Sequence, residues 1–404
     1  MVWLLDLLLT ALALVWLLPA LVLLGECLSA VFAPLSLTAL RGTSESLDYR
    51  VLVPAHDEGT VIGQTLDSLL LQIARPENIL VVADNCADDT AAIARSYGVT
   101  VIERRDPERR GKGYALDFGV RFLESQPPQT VIILDADCLV GPGALAALAA
   151  DAWEKQRPIQ SLYLLEKPSQ ATPKTLISAL AFLIKNQVRP TGLAVWGLPC
   201  LLTGSGMAFP WRILQQAPLA SGNLVEDIQL GLDLALAGYP PQFCPRARVT
   251  GVLPQGEETA VNQRRRWEHG YLETLLKGVP RLLGAGLTQG NLELLALAGE
   301  LSIVPLSLWV LLWLGGLALS VGAWLLGVSV LPLLLLLLSG LAFAVAVLGA
   351  WYGYGRSEIP LGLLLKTPLY ILWKIPLYFA FIVNRQSQWV RTDRESGSIT
   401  PPRL

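Results

Sequence analysis

The chain of 404 residues is 52% hydrophobic and only 16% charged, with a formal net charge of −2 at pH 7. A negative balance with no basic stripe outside one short segment excludes a protein that grips nucleic acid through its phosphates, so no nucleic acid partner is expected. Five scattered cysteines, Cys27, Cys86, Cys138, Cys200 and Cys244, lack CxxC spacing, which argues against a zinc cluster and for unbridged thiols in a reducing compartment.

In chain order, the first element is an uncharged run between Asp6 and Glu26. It is close to the ~20 residues that carry a helix across ~30 Å of hydrocarbon. The run lacks the basic start of a signal peptide, so residues 1–40 are expected to hold an uncleaved transmembrane anchor. From Leu47 the texture changes to short apolar strands at 50–55, 78–84, 99–104 and 130–137, separated by helical patterns. That recurrence predicts a parallel sheet covered on both faces within a domain spanning 45–285. Ligands in such sheets bind beyond the carboxyl ends of the strands. The residues there are His56 to Glu58, Asp84 to Asp89 and Asp135 to Cys138, so carboxylates gather at one edge. The first strand has no GxGxxG and the chain has no GxxxxGK[ST], which excludes dinucleotide and P-loop readings. A cation held by acidic oxygens is another way to manage phosphates.

Four further stretches of this domain carry chemistry. Gly111, Lys112 and Gly113 open a helix where N–H groups and a lysine can meet an anion. Asp135 and Asp137, at i and i+2 after a buried strand, can reach one hard cation or can cap the next helix. Glu226 and Asp227 begin a helix, as carboxylates favoured by its dipole or as a general base. In "QRRRW", Gln263, Arg266 and Trp267 fall on one helical face, while Arg264 and Arg265 point elsewhere, toward solvent or anionic lipid. The arginines either grip phosphate bidentately or form an ordinary juxtamembrane cluster. Small residues around Ser205 in "LTGSG" allow a close approach to a ligand, and a bent strand explains them equally well.

Residues 301–355 contain no charge, which makes room within 297–355 for two transmembrane spans joined by a turn near Gly327 to Pro332. No Lys or Arg precedes Arg41 or lies between Arg281 and Arg356, so residues 41 to ~290 are expected in the cytoplasm. Residues 360–383 hold Lys366, Lys374 and three prolines, which fits a broken helix at the interface, within a final segment 356–404.

The order of these motifs resembles the membrane-integrated family 2 glycosyltransferases, which include cellulose, hyaluronan and chitin synthases and ceramide glucosyltransferase. The resemblance covers residues ~48 to ~280. It implies an α/β fold, a Rossmann-like GT-A domain of the nucleotide-diphospho-sugar transferase type, inserted between transmembrane helices. It implies a UDP-sugar donor, Mg2+ or Mn2+, and inversion in a single displacement. Matched by position, Pro54, His56, Glu58, Asp84 and Lys112 bind the donor. Asp135 and Asp137 contact UDP and the metal, and Asp227 is the catalytic base. Glu226, Gln263, Arg266 and Trp267 border diphosphate and acceptor. Trp389, Thr392 and Arg394 resemble a gating loop that closes over UDP. The synthases have several more spans, so single transfer to a lipid or lipid-linked saccharide is expected, in glycolipid or extracellular polysaccharide biosynthesis at a bacterial inner membrane. A processive synthase that dimerises to complete a channel is the alternative, and a subunit that only senses nucleotide sugar is a second.

Overall fold

In a computed structural model the described residues are 2–33, 47–166, 172–252 and 257–383, so Trp389, Thr392 and Arg394 lie outside them. The chain divides into two compact units. Of the described residues, one unit gathers 2–33, 172–198 and 275–383, and the other 47–166, 199–252 and 257–274. Residues 172–198 and 275–285 group with the apolar helices.

The second unit is built on eight strands. They are β1 (Tyr49–Ala55), β2 (Ile79–Asp84), β3 (Thr100–Arg104), β4 (Thr130–Ile133), β5 (Leu139–Val140), β6 (Ile159–Glu166), β7 (Met207–Pro210) and β8 (Gln242–Val252). The sheet order is β3-β2-β1-β4-β7-β6-β8-β5. All six residues of β2 are buried, as expected of a strand covered on both faces. One cover is the helix Lys112–Leu123, which turns Ala115, Leu116, Gly119, Val120 and Leu123 inward at helical spacing. It packs so closely that a Cβ at Gly119 would come within 2.5 Å of Leu52 Cδ1. Leu116, Leu52, Val82, Ile133 and Phe209 share one core, and each such side chain contributes roughly 1.5–3 kcal/mol on burial.

The expectation of an all-parallel sheet holds for β1 to β4, where β1 pairs in parallel with β2 and β4, and β2 with β3. Beyond β4 the sheet is mixed, with β7 antiparallel to β4 and β6, β5 antiparallel to β8, and β6 parallel to β8. The expected strand 130–137 also ends at Ile133. Asp135 to Cys138 leave it in a turn closed by Cys138 N–H donating to Asp135 O.

Among the described residues of the first unit, three helices are long and apolar enough to cross a membrane: Val2–Phe32, Leu306–Leu325 and Leu331–Gly355. The connection after Leu325 turns at Gly327, where φ is +90°. Trp309 stacks on Phe343 with centroids 4.1 Å apart, and Trp313 Nε1 donates to Leu336 O at 2.8 Å. Glu26 is fully buried inside the first helix, where Arg189 Nε donates to its carboxylate at 3.0 Å. The same guanidinium lies 2.8 Å from Glu300 Oε2. A buried carboxylate in an apolar helix is tolerated when paired in this way. Residues 360–383 form two helices, Leu361–Leu364 and Thr367–Val383, the latter with Pro376 inside.

Candidate active site

The site is assembled where β1, β2 and β4 end side by side. The β1–β2 register sets Pro54 opposite Val82, so His56 and Asp84 leave adjacent strand ends. His56 Nδ1 lies 2.7 Å from Asp84 O, and since a carbonyl only accepts, Nδ1 carries the proton. Asp57 and Asn85 adopt positive φ, which Asp and Asn tolerate better than most residues. Glu58 is half-buried, and its N–H donates to Thr90 Oγ1 at 2.8 Å. Asp57, Cys86 and Asp88 could geometrically hold an ion. Their carboxylates instead serve the loop, Asp57 Oδ1 accepting from Ala87 N at 2.6 Å and Asp88 Oδ2 from Gly59 N at 2.9 Å.

Asp84 is 5% exposed and is held by a residue that sequence reasoning missed. Arg104 Nη1 donates to Asp84 Oδ1 at 2.6 Å, and Asn85 Nδ2 donates to the same oxygen at 3.0 Å. Burial pushes the Asp84 carboxyl up and Arg104 partly offsets the rise. The available signal was the register: Arg104 ends β3 directly opposite Asp84 at the end of β2.

On the other side of β1, Lys112 gathers the acidic motifs. Its ammonium pairs with Asp135 Oδ1, donates to Gly204 O at 2.5 Å and lies 3.9 Å from Glu226 Oε1. Burial acts to lower the Lys112 pKa, but Asp135, Glu226 and Asp227 together hold it above the ordinary lysine value. Asp135 N–H donates to Ser205 Oγ at 3.1 Å. A Cβ at Gly204 would lie 3.2 Å from Asp227 Oδ2 and 3.9 Å from Lys112 Nζ, so the base candidate faces the same turn. Burial pushes the Glu226 carboxyl up to about 7, the Lys112 ammonium pulling the other way and Asp227 adding to the rise.

This has a measurable consequence. A carboxyl that holds its proton more tightly folded than unfolded adds stability in acid, wholly present below its usual 4.5 and lost as pH rises through about 7. Glu226→Gln should flatten the fall in melting temperature across that window. An unchanged slope in the variant would remove Glu226 as its source.

Asp135, Asp137 and Cys138 place ligand atoms within 4.8 Å of one another. Burial raises the Cys138 thiol well above its ordinary range, so it stays protonated and leaves two carboxylates as the donor set. Hard oxygens on a turn outside the sheet fit Mg2+ or Mn2+ rather than a soft metal.

Gln263, Arg266 and Trp267 lie on the helix Glu257–Gln289, with Gln263 buried and residues 264–267 all half-buried. Exposure therefore does not separate Arg264 and Arg265 from Arg266. A second missed residue places this helix: a Cβ at Gly270 would come 2.9 Å from Val225 Cγ1, just before Glu226. The QRRRW segment thus packs beside the start of the helix Glu226–Leu236.

The sequence family described as "Glycosyltransferase like family 2" matches residues 48–270. An uncharacterized protein of Methanocaldococcus jannaschii is 39% identical over 87 residues, 22% of this chain and 34% of that protein. The 4,4'-diaponeurosporenoate glycosyltransferase of Staphylococcus aureus is 39% identical over 73 residues, 17% of this chain and 19% of the enzyme. The chain thus spans about a third or less of the length of these curated relatives. Among solved structures, the mannosyltransferase PcManGT of Pyrobaculum calidifontis, in complex with GDP-Man and Mn2+, shares the fold with a TM-score of 0.54. It is 19% identical, over 91% of this chain and 99% of that one.

Proposed function

Since the chain belongs to glycosyltransferase-like family 2, its motif-bearing segment 48–270 falling wholly inside the match, we propose that it transfers a sugar from a uridine diphosphate sugar to a hydroxyl of a lipid or lipid-linked saccharide. The observation that carries this reading is the cluster of Lys112, Asp135, Glu226 and Asp227 around the Gly204 turn. It combines a cation for diphosphate with a carboxylate placed to act as base.

In the proposed reaction the acceptor oxygen attacks the anomeric carbon as the bond from that carbon to the diphosphate oxygen breaks, with inversion. The acceptor proton passes to Asp227 and the electron pair leaves with UDP. Lys112 and Arg266 meet charge developing on the leaving group, assistance that typically supplies several kcal/mol of barrier reduction. Asp135 and Asp137 would hold Mg2+ or Mn2+, which when bound neutralises the diphosphate. Gln263 and Trp267 border the acceptor, Trp267 offering a flat face to a sugar ring. Three helices among the described residues long and apolar enough to cross a membrane support a lipid acceptor and a membrane location, and the Lys and Arg residues between Arg41 and Arg281 support a cytoplasmic catalytic unit.

Asp84 supports uridine over guanosine. Among the described residues, Arg104 and Asn85 both donate to its Oδ1, leaving Oδ2 as a single acceptor. Uracil presents one imide N–H between two carbonyls, whereas guanine presents two adjacent donors that need two acceptors. A mispaired donor costs ~1–3 kcal/mol, so UDP should be released from UDP-sugars at least ~5-fold faster than GDP from GDP-mannose. Arg104→Met removes one of the two donors to Oδ1, leaving only Asn85 on it, and should narrow that ratio. Preference for GDP in the unaltered protein would overturn the uridine assignment, and an unchanged ratio would remove Arg104 from it.

A further inference from the structure

The turn from Thr203 to Gly206 lies against Lys112, Asp135 and Asp227 of the cluster, yet no residue within it is an acid, a base or a phosphate ligand. Its Gly204 carbonyl accepts from Lys112 Nζ at 2.5 Å. Its Ser205 hydroxyl accepts the Asp135 N–H at 3.1 Å. Its Gly204 Cα faces Asp227, with φ at +95°, a conformation that leaves no easy room for a side chain. The geometry of this turn therefore decides where the ammonium stands between the two acidic motifs.

One side chain brackets the turn. Gln160, on β6 and 1% exposed, accepts from Thr203 N through Oε1 at 2.8 Å. It donates from Nε2 to Ser205 O at 3.0 Å and to Ser161 O at 3.1 Å. The neighbouring strand residue closes in as well: Ser161 N donates to Gly206 O at 2.9 Å, and a Cβ at Gly206 would overlap the Ser161 hydroxyl. A buried glutamine bonded at both ends to main chain can serve only to fill the hydrogen-bond needs of a bent strand. What sets Gln160 apart is that one N–H and one carbonyl it holds, those of Thr203 and Ser205, flank the one residue, Gly204, whose carbonyl receives Lys112.

We propose that Gln160 is a positioning residue for the transfer reaction: by clamping Thr203 and Ser205 it fixes the Gly204 carbonyl and the Ser205 hydroxyl, and through them the placement of Lys112 and Asp135 relative to Asp227. The inference rests on the reading of the cluster as a donor site. Gln160→Met preserves side-chain volume and removes both hydrogen-bonding ends. Gln160→Glu keeps the acceptor for Thr203 N and turns the other end against two carbonyls.

The test is a double-mutant cycle between position 160 and Lys112→Met in the full-length protein, because residues acting through one another are not additive. Two readouts are taken below the melting temperature of each variant: the dissociation constant of UDP in the presence of Mn2+, and kcat for transfer. Gln160→Met should weaken UDP binding about fivefold and lower kcat about tenfold or more, and both changes should shrink below twofold in the Lys112→Met background. Gln160→Glu should show the same pattern, which keeps the test open if the methionine variant does not fold. A merely structural glutamine lowers the melting temperature while the folded fraction binds and turns over as before, or gives losses that multiply independently of Lys112, and either result overturns the proposal. If the unaltered protein binds UDP but transfers nothing, the transfer reading fails while the binding cycle still decides the role of Gln160.

Discussion

Asp227→Asn should lower kcat by about 10²–10⁴-fold, the usual worth of a positioned general base, while UDP binding with Mn2+ changes little. The substitution is isosteric, so the packing of this side chain towards the Gly204 turn is kept and the capacity to take a proton is lost. Glu226 is the adjacent rival, and its carboxyl, pushed up to about 7, has the proton affinity a base at neutral pH needs. Geometry separates the two. Glu226 lies 3.9 Å from the Lys112 ammonium and is engaged as its second carboxylate partner after Asp135, whereas Asp227 faces the turn beyond the lysine. Glu226→Gln should therefore cost less kcat than Asp227→Asn. Retention of turnover in Asp227→Asn together with its loss in Glu226→Gln would move the base to Glu226.

Removal of divalent cations should bring transfer to background, with Mn2+ or Mg2+ restoring it, and Asp137→Asn should raise the half-saturating Mn2+ concentration by at least ~100-fold. Perturbing partners of metal ligands costs about 10–100-fold in affinity, and loss of one of two carboxylate ligands exceeds that. Asp135→Asn carries a second effect, because Asp135 also pairs with Lys112. Its loss should therefore weaken UDP binding even at saturating metal, while the Asp137 defect should be overcome by raising the metal concentration. Full activity in chelator would mean that Lys112 and the arginines of QRRRW handle the diphosphate alone.

The acidic motifs were legible because they sit at strand ends or helix starts that period and composition reveal: Asp84 after β2, Asp135 and Asp137 after β4, Glu226 and Asp227 at a helix start. Strands β5 and β7 were not, since β5 is two residues long and β7 four, too short to show a period. Arg104, Gln160 and Gly270 escaped for another reason. Each is a single residue whose partner is distant in sequence, so its role exists only once register or packing brings that partner close. The same holds in the apolar unit, where Glu26 read as the end of an uncharged run. The helix runs on to Phe32, and Arg189, 163 residues away, supplies the charge that compensates Glu26.

The most direct measurement incubates the full-length protein with Mn2+, a panel of UDP-sugars and a total lipid extract, following UDP release together with product mass, with the Asp227→Asn protein as control. The account predicts UDP release matched one for one by a lipid or lipid-linked saccharide heavier by a single sugar, and neither in the control. A ladder of products extended by many sugars, or no UDP release with any lipid, would contradict it.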